Sequence, residues 1–367
     1  MSTDTRRSRE SDLEILRLLA SGMVIVHHFC LAGGIPLTSG FNHYLLIFLE
    51  GFNICAVDIF LLISGYFLIR SKSVSLWKPI KLLVLVSVLG AASLLIRSVM
   101  TLASGGTPAL SVKSVVSAVL PNSYYVTFYC VLIILAPFLN HAFLTLDKTG
   151  RRRLILILVL LFSVWTTVVD GANEIIVAHG ISHVDGISKV LRDGSDYGYT
   201  IVNFVLLYLL GGYIRLNEDK LAKIPTWKLL LGQSSILVIL FVWNVLTYKN
   251  DFELGTAMSY CNPLVIGESV ILFTLFRRLR IGSVRIINEL AGASLTAYLV
   301  HVSFILRIAR EGGVGERSTL SLLGYIVMWV IILYLGSFVI YKVYSFVERA
   351  VFGRLEEKYG SLTICVE

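Results

Sequence analysis

The sequence predicts an all-α polytopic membrane protein, a bundle of about ten transmembrane helices with both termini cytoplasmic. Three observations predict it. Of the 367 residues, 56% are hydrophobic and 15% charged, and the mean hydropathy is +0.79, too apolar for a soluble chain of this length. The apolar residues fall into ten runs, most of them near the length of about 20 residues that crosses a hydrocarbon core. Lysines and arginines concentrate in alternate loops, as the retention of basic residues on the cytoplasmic side requires.

In chain order the runs are Leu13 to Ala32, Leu45 to Ile69, Leu82 to Leu102, Tyr124 to Leu146, Leu154 to Val169, Tyr199 to Ile214, Leu229 to Tyr248, Tyr260 to Phe276, Leu290 to Ile308 and Leu320 to Phe346. The fifth, sixth and eighth are short for a span. Counting from a cytoplasmic N-terminus, the inner loops collect basic groups such as Arg70, Lys72, Lys78 and Lys81, then Lys148, Arg151, Arg152 and Arg153, then Arg277, Arg278, Arg280 and Arg285. An error of one span would invert every later loop. Residues 12–349 therefore read as one transmembrane domain between a cytoplasmic N-terminal tail, 1–11, and a cytoplasmic C-terminal tail, 350–367. Residues 175–191 have the pattern of a short interfacial helix interrupted by glycines. No cleavable signal peptide is evident, because the first run is long and carries Arg17.

The net charge of +8 does not point to nucleic acid, since the basic residues lie in short loops between apolar runs and not on one soluble face. Five cysteines, Cys30, Cys55, Cys130, Cys261 and Cys365, show no CxxC or His/Cys metal spacing, and read as free thiols.

Ionisable residues inside apolar runs are costly unless paired or hydrated, and so mark candidate sites. In the first run Arg17 is followed eleven residues later by His28. At 100° and 1.5 Å per residue they share a helix face to within about 20° and lie about 16 Å apart. His27 points about 100° away. Asp58 in the second run, Glu268 in the eighth and His301 in the ninth each need a partner, and a first-run histidine is the nearest candidate for Asp58. Glu50, Arg97 and His141 lie closer to the run ends, where interfacial anchoring accounts for them. His43, His179 and His183 fall in the expected outer loops.

Five blocks in order carry a resemblance. LEILRLLASGMVIVHH (Leu13 to His28), AVDIFLLISGYFL (Ala56 to Leu68), NSYYVTFYCVLIILAPFLN (Asn122 to Asn140), FVLLYLLGGYI (Phe204 to Ile214) and SLTAYLVHVSF (Ser294 to Phe304) resemble the motifs of the integral-membrane acyltransferase family 3, which O-acylates sugars and other envelope molecules. The chain is most similar to short capsule- and exopolysaccharide-type members without an appended soluble domain. The family's spacing of an arginine, ten residues and a histidine selects Arg17 and His28. Two departures stand out: Tyr124 and Tyr125 replace a usual Trp-Phe pair, and Ser303 replaces a common proline.

The resemblance implies an acyltransferase, an O-acetyltransferase of a bacterial cell membrane, with acetyl-CoA or another acyl-CoA as donor substrate and no permanently bound cofactor or metal. It implies that His28 is catalytic, with Asp58 as candidate to orient it, and that Arg17 binds the cytoplasmic acyl-CoA. Arg70 is a candidate second anchor for the donor's phosphates. Tyr298, His301 and Glu268 are candidates for substrate contacts. The implied partners are acyl-CoA, an envelope glycan or lipid-linked sugar, and membrane lipids. A glycan exporter or flippase is the alternative. It would show polar side chains at many depths, whereas the third, fifth and seventh runs are nearly all apolar.

Overall fold

The computed structural model describes residues 10–108, 110–121, 123–180, 198–248, 255–360 and 362–366. Eight helices are long and apolar enough to cross a membrane, a ninth candidate is a helix pair bent by 44°, and Ile201–Leu216 is a shorter apolar helix. These account for all ten runs, and the chain is an all-α polytopic membrane protein.

The elements follow the sequence closely where a polar cap meets an apolar run. They are α1 (Ser11–Phe29), α2 (Gly40–Asn53), α3 (Ala56–Leu68), α4 (Trp77–Ala103), α5 (Val112–Val119), α6 (Tyr124–Thr145), α7 (Lys148–Val159), α8 (Thr166–Ala178), α9 (Ile201–Leu216), α10 (Thr226–Tyr248), α11 (Pro263–Arg277), α12 (Arg285–Ala291), α13 (Ser294–Glu311) and α14 (Thr319–Tyr359). Asp147 opens α7 by accepting from the Gly150 amide at 2.7 Å. Asn262 opens α11 by accepting from the Leu264 amide at 2.9 Å, one residue before Pro263. Each side chain satisfies an amide that the first helical turn leaves unpaired.

Several boundaries differ from those the runs predict. The second span begins at Gly40 and includes α2 and α3, with a short break at Ile54 and Cys55. The fourth is discontinuous, since α5 precedes α6 across residues 120–123. The fifth is longer than its run, because a π-helical turn, Leu160–Trp165, joins α7 to α8. Residues 175–178 of the expected interfacial helix belong to α8, and 181–191 lie outside the described residues. α14 has 41 residues, about 60 Å, twice a hydrocarbon core. Its end is tied down: the Trp77 indole donates to the Gly360 carbonyl, and strand β2 (Thr363–Cys365) pairs antiparallel with β1 (Ser73–Ser75).

Two features of the motifs organise the centre. A Cβ placed on Gly65 of α3 would sit 1.8 Å from the Tyr208 carbonyl oxygen of α9, and one on Gly211 would sit 2.2 Å from that of Leu62. The SGY and LGG glycines are thus what lets the two backbones touch. Asn140 of α6 donates to the Leu68 and Ser71 carbonyls at 2.7 and 2.8 Å and accepts from the Tyr208 hydroxyl at 2.8 Å. It ties the end of α3 and the turn after it to α6 and α9.

At the expected cytoplasmic end the Tyr66 hydroxyl donates to Glu218 at 2.9 Å and accepts from Arg277 at 2.9 Å and from Arg215. Arg277 also meets Asp12 of α1 at 2.7 Å. This network clamps α1, α3, α9 and α11 together.

Candidate active site

The histidines of α1 meet α13 and α2 inside the bundle. His301 Nδ1 lies 3.1 Å from the Ala297 carbonyl, which can only accept, so Nδ1 carries the proton and Nε2 presents a lone pair. That Nε2 lies 3.2 Å from His28 Nδ1, which is also 3.0 Å from the Val24 carbonyl. Two acceptors therefore face His28 Nδ1 and fix its proton there. The lone pair is left on His28 Nε2, which has no hydrogen-bond partner among the described residues. His301 is fully buried, whereas His28 is only partly so. A neutral imidazole held this way is a proton acceptor, with His301 placed to stabilise the cation that forms.

His27 has a different role. Its Nδ1 is 2.5 Å from Glu50 Oε1, and its Nε2 is 3.5 Å from the Tyr260 hydroxyl. Both ring nitrogens are engaged, and His27 and Glu50 are 3% and 0% exposed. The two α1 imidazoles touch edge to face, with centroids 4.8 Å apart. Tyrosines continue the cluster: Tyr298 lies 5.9 Å from His301 and 5.1 Å from Tyr125, and Tyr199 bridges Tyr260 and Tyr124 at 5.0 and 4.4 Å.

Of the residues selected from sequence, His28, His301 and Tyr298 come together. Asp58 does not join them. Both its carboxylate oxygens are buried without a hydrogen-bond partner, and the carboxylate that reaches a first-span histidine is Glu50, on His27 and not on His28. Glu50 escaped the sequence reading because its span was expected to begin at Leu45. The span runs from Gly40 to Leu68, so Glu50 sits about 15 Å into it, just before the break between α2 and α3, and not near the span's end. Glu268 is also separate, accepting from Gln233 Nε2 at 2.6 Å. Arg17 pairs with Glu14 at 2.6 Å and is 27% exposed. Arg70 is exposed and lines a cavity of 330 Å³ with Lys72 and His141, which Arg17 does not share. A larger inner cavity, 570 Å³, is lined by Arg277, Arg278 and Arg280 beside Glu218 and Asp219. Of the loop histidines, His43 lies within α2 and His179 just past α8; His183 is outside the described residues.

A family model described as an acyltransferase domain matches residues 10–342. The chain belongs to acyltransferase family 3. No curated protein and no solved structure matches it. As a membrane acyltransferase it needs a base for the acceptor and a route for the donor. The His28–His301 pair has the geometry of the first.

Proposed function

We propose that this acyltransferase O-acetylates a hydroxyl of an envelope glycan or lipid-linked sugar at a bacterial cell membrane, with acetyl-CoA from the cytoplasm as donor and His28 as general base. The observation that carries the reading is the His301–His28 hydrogen bond of 3.2 Å, which leaves His28 Nε2 as the unengaged lone pair of the cluster. In this mechanism Nε2 takes the acceptor's hydroxyl proton while the hydroxyl oxygen bonds to the thioester carbonyl carbon. The carbon–sulfur bond then breaks, and the departing thiolate recovers the proton from His28, giving the ester and free coenzyme A. His301 accepts from the imidazolium throughout, the part a carboxylate plays in a Ser-His-Asp triad. Tyr298 flanks the acceptor's approach.

Arg17 suits donor binding because it lies about 16 Å below His28 on nearly the same face of α1, a span for the thin arm of an acyl-CoA. The phosphates then fall at the inner end, where Arg277, Arg278 and Arg280 line the larger cavity and Arg70 the smaller; multiple arginines suit phosphate oxygens. Neither Asp58 nor Glu268 takes a part in this scheme.

The test is mass spectrometry of envelope glycans from cells carrying wild type, His28→Ala or no copy of the gene. An acyl-sized mass present only with wild type is the expected result. The same mass with His28→Ala, in protein shown to be membrane-inserted, overturns the assignment. Loss of surface glycan without that mass difference favours export.

A further inference from the structure

The proposed transfer leaves one charge without a partner. When the acceptor oxygen bonds to the thioester carbonyl carbon, the carbonyl oxygen becomes an oxyanion, and a hydrogen-bond donor aimed at that oxygen is a large part of what an enzyme can supply. The imidazoles have no proton to spare for it. His301 Nδ1 gives its proton to the Ala297 carbonyl, His28 Nδ1 faces His301 Nε2 and the Val24 carbonyl, and His28 Nε2 is the base. Both ring nitrogens of His27 are engaged, by Glu50 and Tyr260. The donor has to come from another side chain beside the pair.

We infer that the Tyr298 hydroxyl donates to this oxyanion, which makes Tyr298 a catalytic residue; the inference rests on the proposed acyl transfer. Tyr298 and His301 are three residues apart on α13, about 60° around the helix and about 4.5 Å along it, and their rings lie 5.9 Å apart. α1 and α13 run in the same direction. Their contacts pass from His28 and His301 to Gly33, just past α1, and Ala309, where a Cβ on Gly33 would sit 3.3 Å from the Ala309 backbone. Tyr298 precedes His301 as Arg17 precedes His28, so it lies on the Arg17 side of the histidines.

The neighbouring tyrosines continue in that direction. Tyr125, whose ring is 5.1 Å from that of Tyr298, lies within the field of the Arg17 charge. An acyl-CoA arm extended from Arg17 toward His28 thus brings its thioester to the level of Tyr298 one helical turn short of His301, with the carbonyl carbon still open to an acceptor held by His28 Nε2.

The hydroxyl itself is available. Tyr298 is buried, and the Tyr124 hydroxyl, from the first residue of α6, is its one hydrogen-bond partner among the described residues. A phenol has one proton to give and lone pairs with which to receive. Hydroxyl protons rotate, so an oxyanion, a stronger acceptor than a phenol, draws the Tyr298 proton toward itself while Tyr124 donates to Tyr298. Each bond then strengthens the next in this dry setting. The Tyr298 O–H bond stays intact throughout. When the carbon–sulfur bond breaks, the oxyanion's electron pair returns to the carbonyl, the thiolate leaves, and the hydrogen bond weakens again.

The test changes the substrate's oxygen as well as the enzyme's hydroxyl. Membrane vesicles from cells carrying the full-length protein, with their own envelope glycan as acceptor, receive acetyl-CoA or its dithioester analogue, in which sulfur replaces the carbonyl oxygen. Free coenzyme A is measured by chromatography against vesicles lacking the protein. Sulfur is a weak hydrogen-bond acceptor, so the analogue gains little from a donor. Tyr298→Phe keeps the ring and its packing and removes only the hydroxyl. It should lower kcat with acetyl-CoA about 100-fold or more, leave KM for the donor near wild type, and shrink the preference for oxygen over sulfur about tenfold or more. The intrinsic reactivity of the two donors is common to both proteins and cancels. Tyr124→Phe should shift the preference in the same direction by less. A structural role for Tyr298 slows both donors alike, and that result overturns the inference, as does a kcat within about threefold of wild type. Loss of the preference in Tyr125→Phe but not in Tyr298→Phe overturns it too. Wild-type vesicles that release no coenzyme A beyond the blank remove the acyl-transfer reading and this one with it, whereas transfer indifferent to the Tyr298 hydroxyl removes this one alone.

Discussion

His301→Ala isolates what the second imidazole contributes. In wild type His28 Nδ1 faces two acceptors, His301 Nε2 at 3.2 Å and the Val24 carbonyl at 3.0 Å. Removing the first leaves the second, so His28 keeps its tautomer but loses a partner for its charged form. A hydrogen bond to a charged group contributes about 1.5–3 kcal/mol. With Val24 still present the loss falls at the lower end, about 1.5–2.5 kcal/mol, or a 10- to 70-fold fall in kcat at about 1.4 kcal/mol per decade. General-base removal by His28→Ala costs more, about 100- to 10,000-fold. The assay is acyl transfer by purified protein at saturating acyl-CoA, with KM for the donor measured alongside; KM should stay near wild type, because His301 contacts His28, about 16 Å along α1 from the arginine assigned to the donor. His301→Gln, whose Oε1 can accept, should recover part of the loss. A monodisperse His301→Ala protein with kcat within about twofold of wild type would refute the tautomer argument. Loss equal to that of His28→Ala would make His301 a proton acceptor in its own right.

Three further predictions concern packing and the carboxylates. Gly65→Val must push α3 from α9, because its Cβ falls 1.8 Å from a backbone oxygen; we expect a loss of about 3 kcal/mol or more, read as a lower melting temperature in detergent, and an unchanged melting curve contradicts the close approach. Glu50→Ala strips His27 of a buried partner and should cost about 1–3 kcal/mol, whereas Asp58→Asn, at a carboxylate with no hydrogen bond to lose, should keep transfer within about threefold of wild type. A large transfer defect in Asp58→Asn with normal stability would restore Asp58 to the site.

The spans were legible because bilayer thickness sets run length and loop charge fixes alternation, two signals carried by residue type alone. Arg17 and His28 were legible for a related reason: an ionisable group in an apolar run is costly wherever it sits, and helix periodicity says which two share a face. Partnership across helices was not. Nothing local distinguishes Glu50 from Asp58, both carboxylates in the second span, until the approach of α2 to α1 brings one within reach of His27 and leaves the other among residues that donate nothing to it. Asn140 and Tyr66 were quoted as motif letters, but their work lies in tying the end of α3 to α6 and α9 and in a four-helix network, contacts spanning 68 to 211 residues of sequence. The helix α5 was not legible because Val112–Val119, with its lysine and serines, falls outside the fourth run, Tyr124 to Leu146, in a stretch that read as a loop.

The length of α1 has a consequence for the proposed mechanism. A donor entering beside Ser11 would have to extend about 26 Å along α1 to reach His28, so only a slender, extended arm could carry its reacting group that far, and girth near the thioester would select against a donor more sharply than the length of what trails behind it.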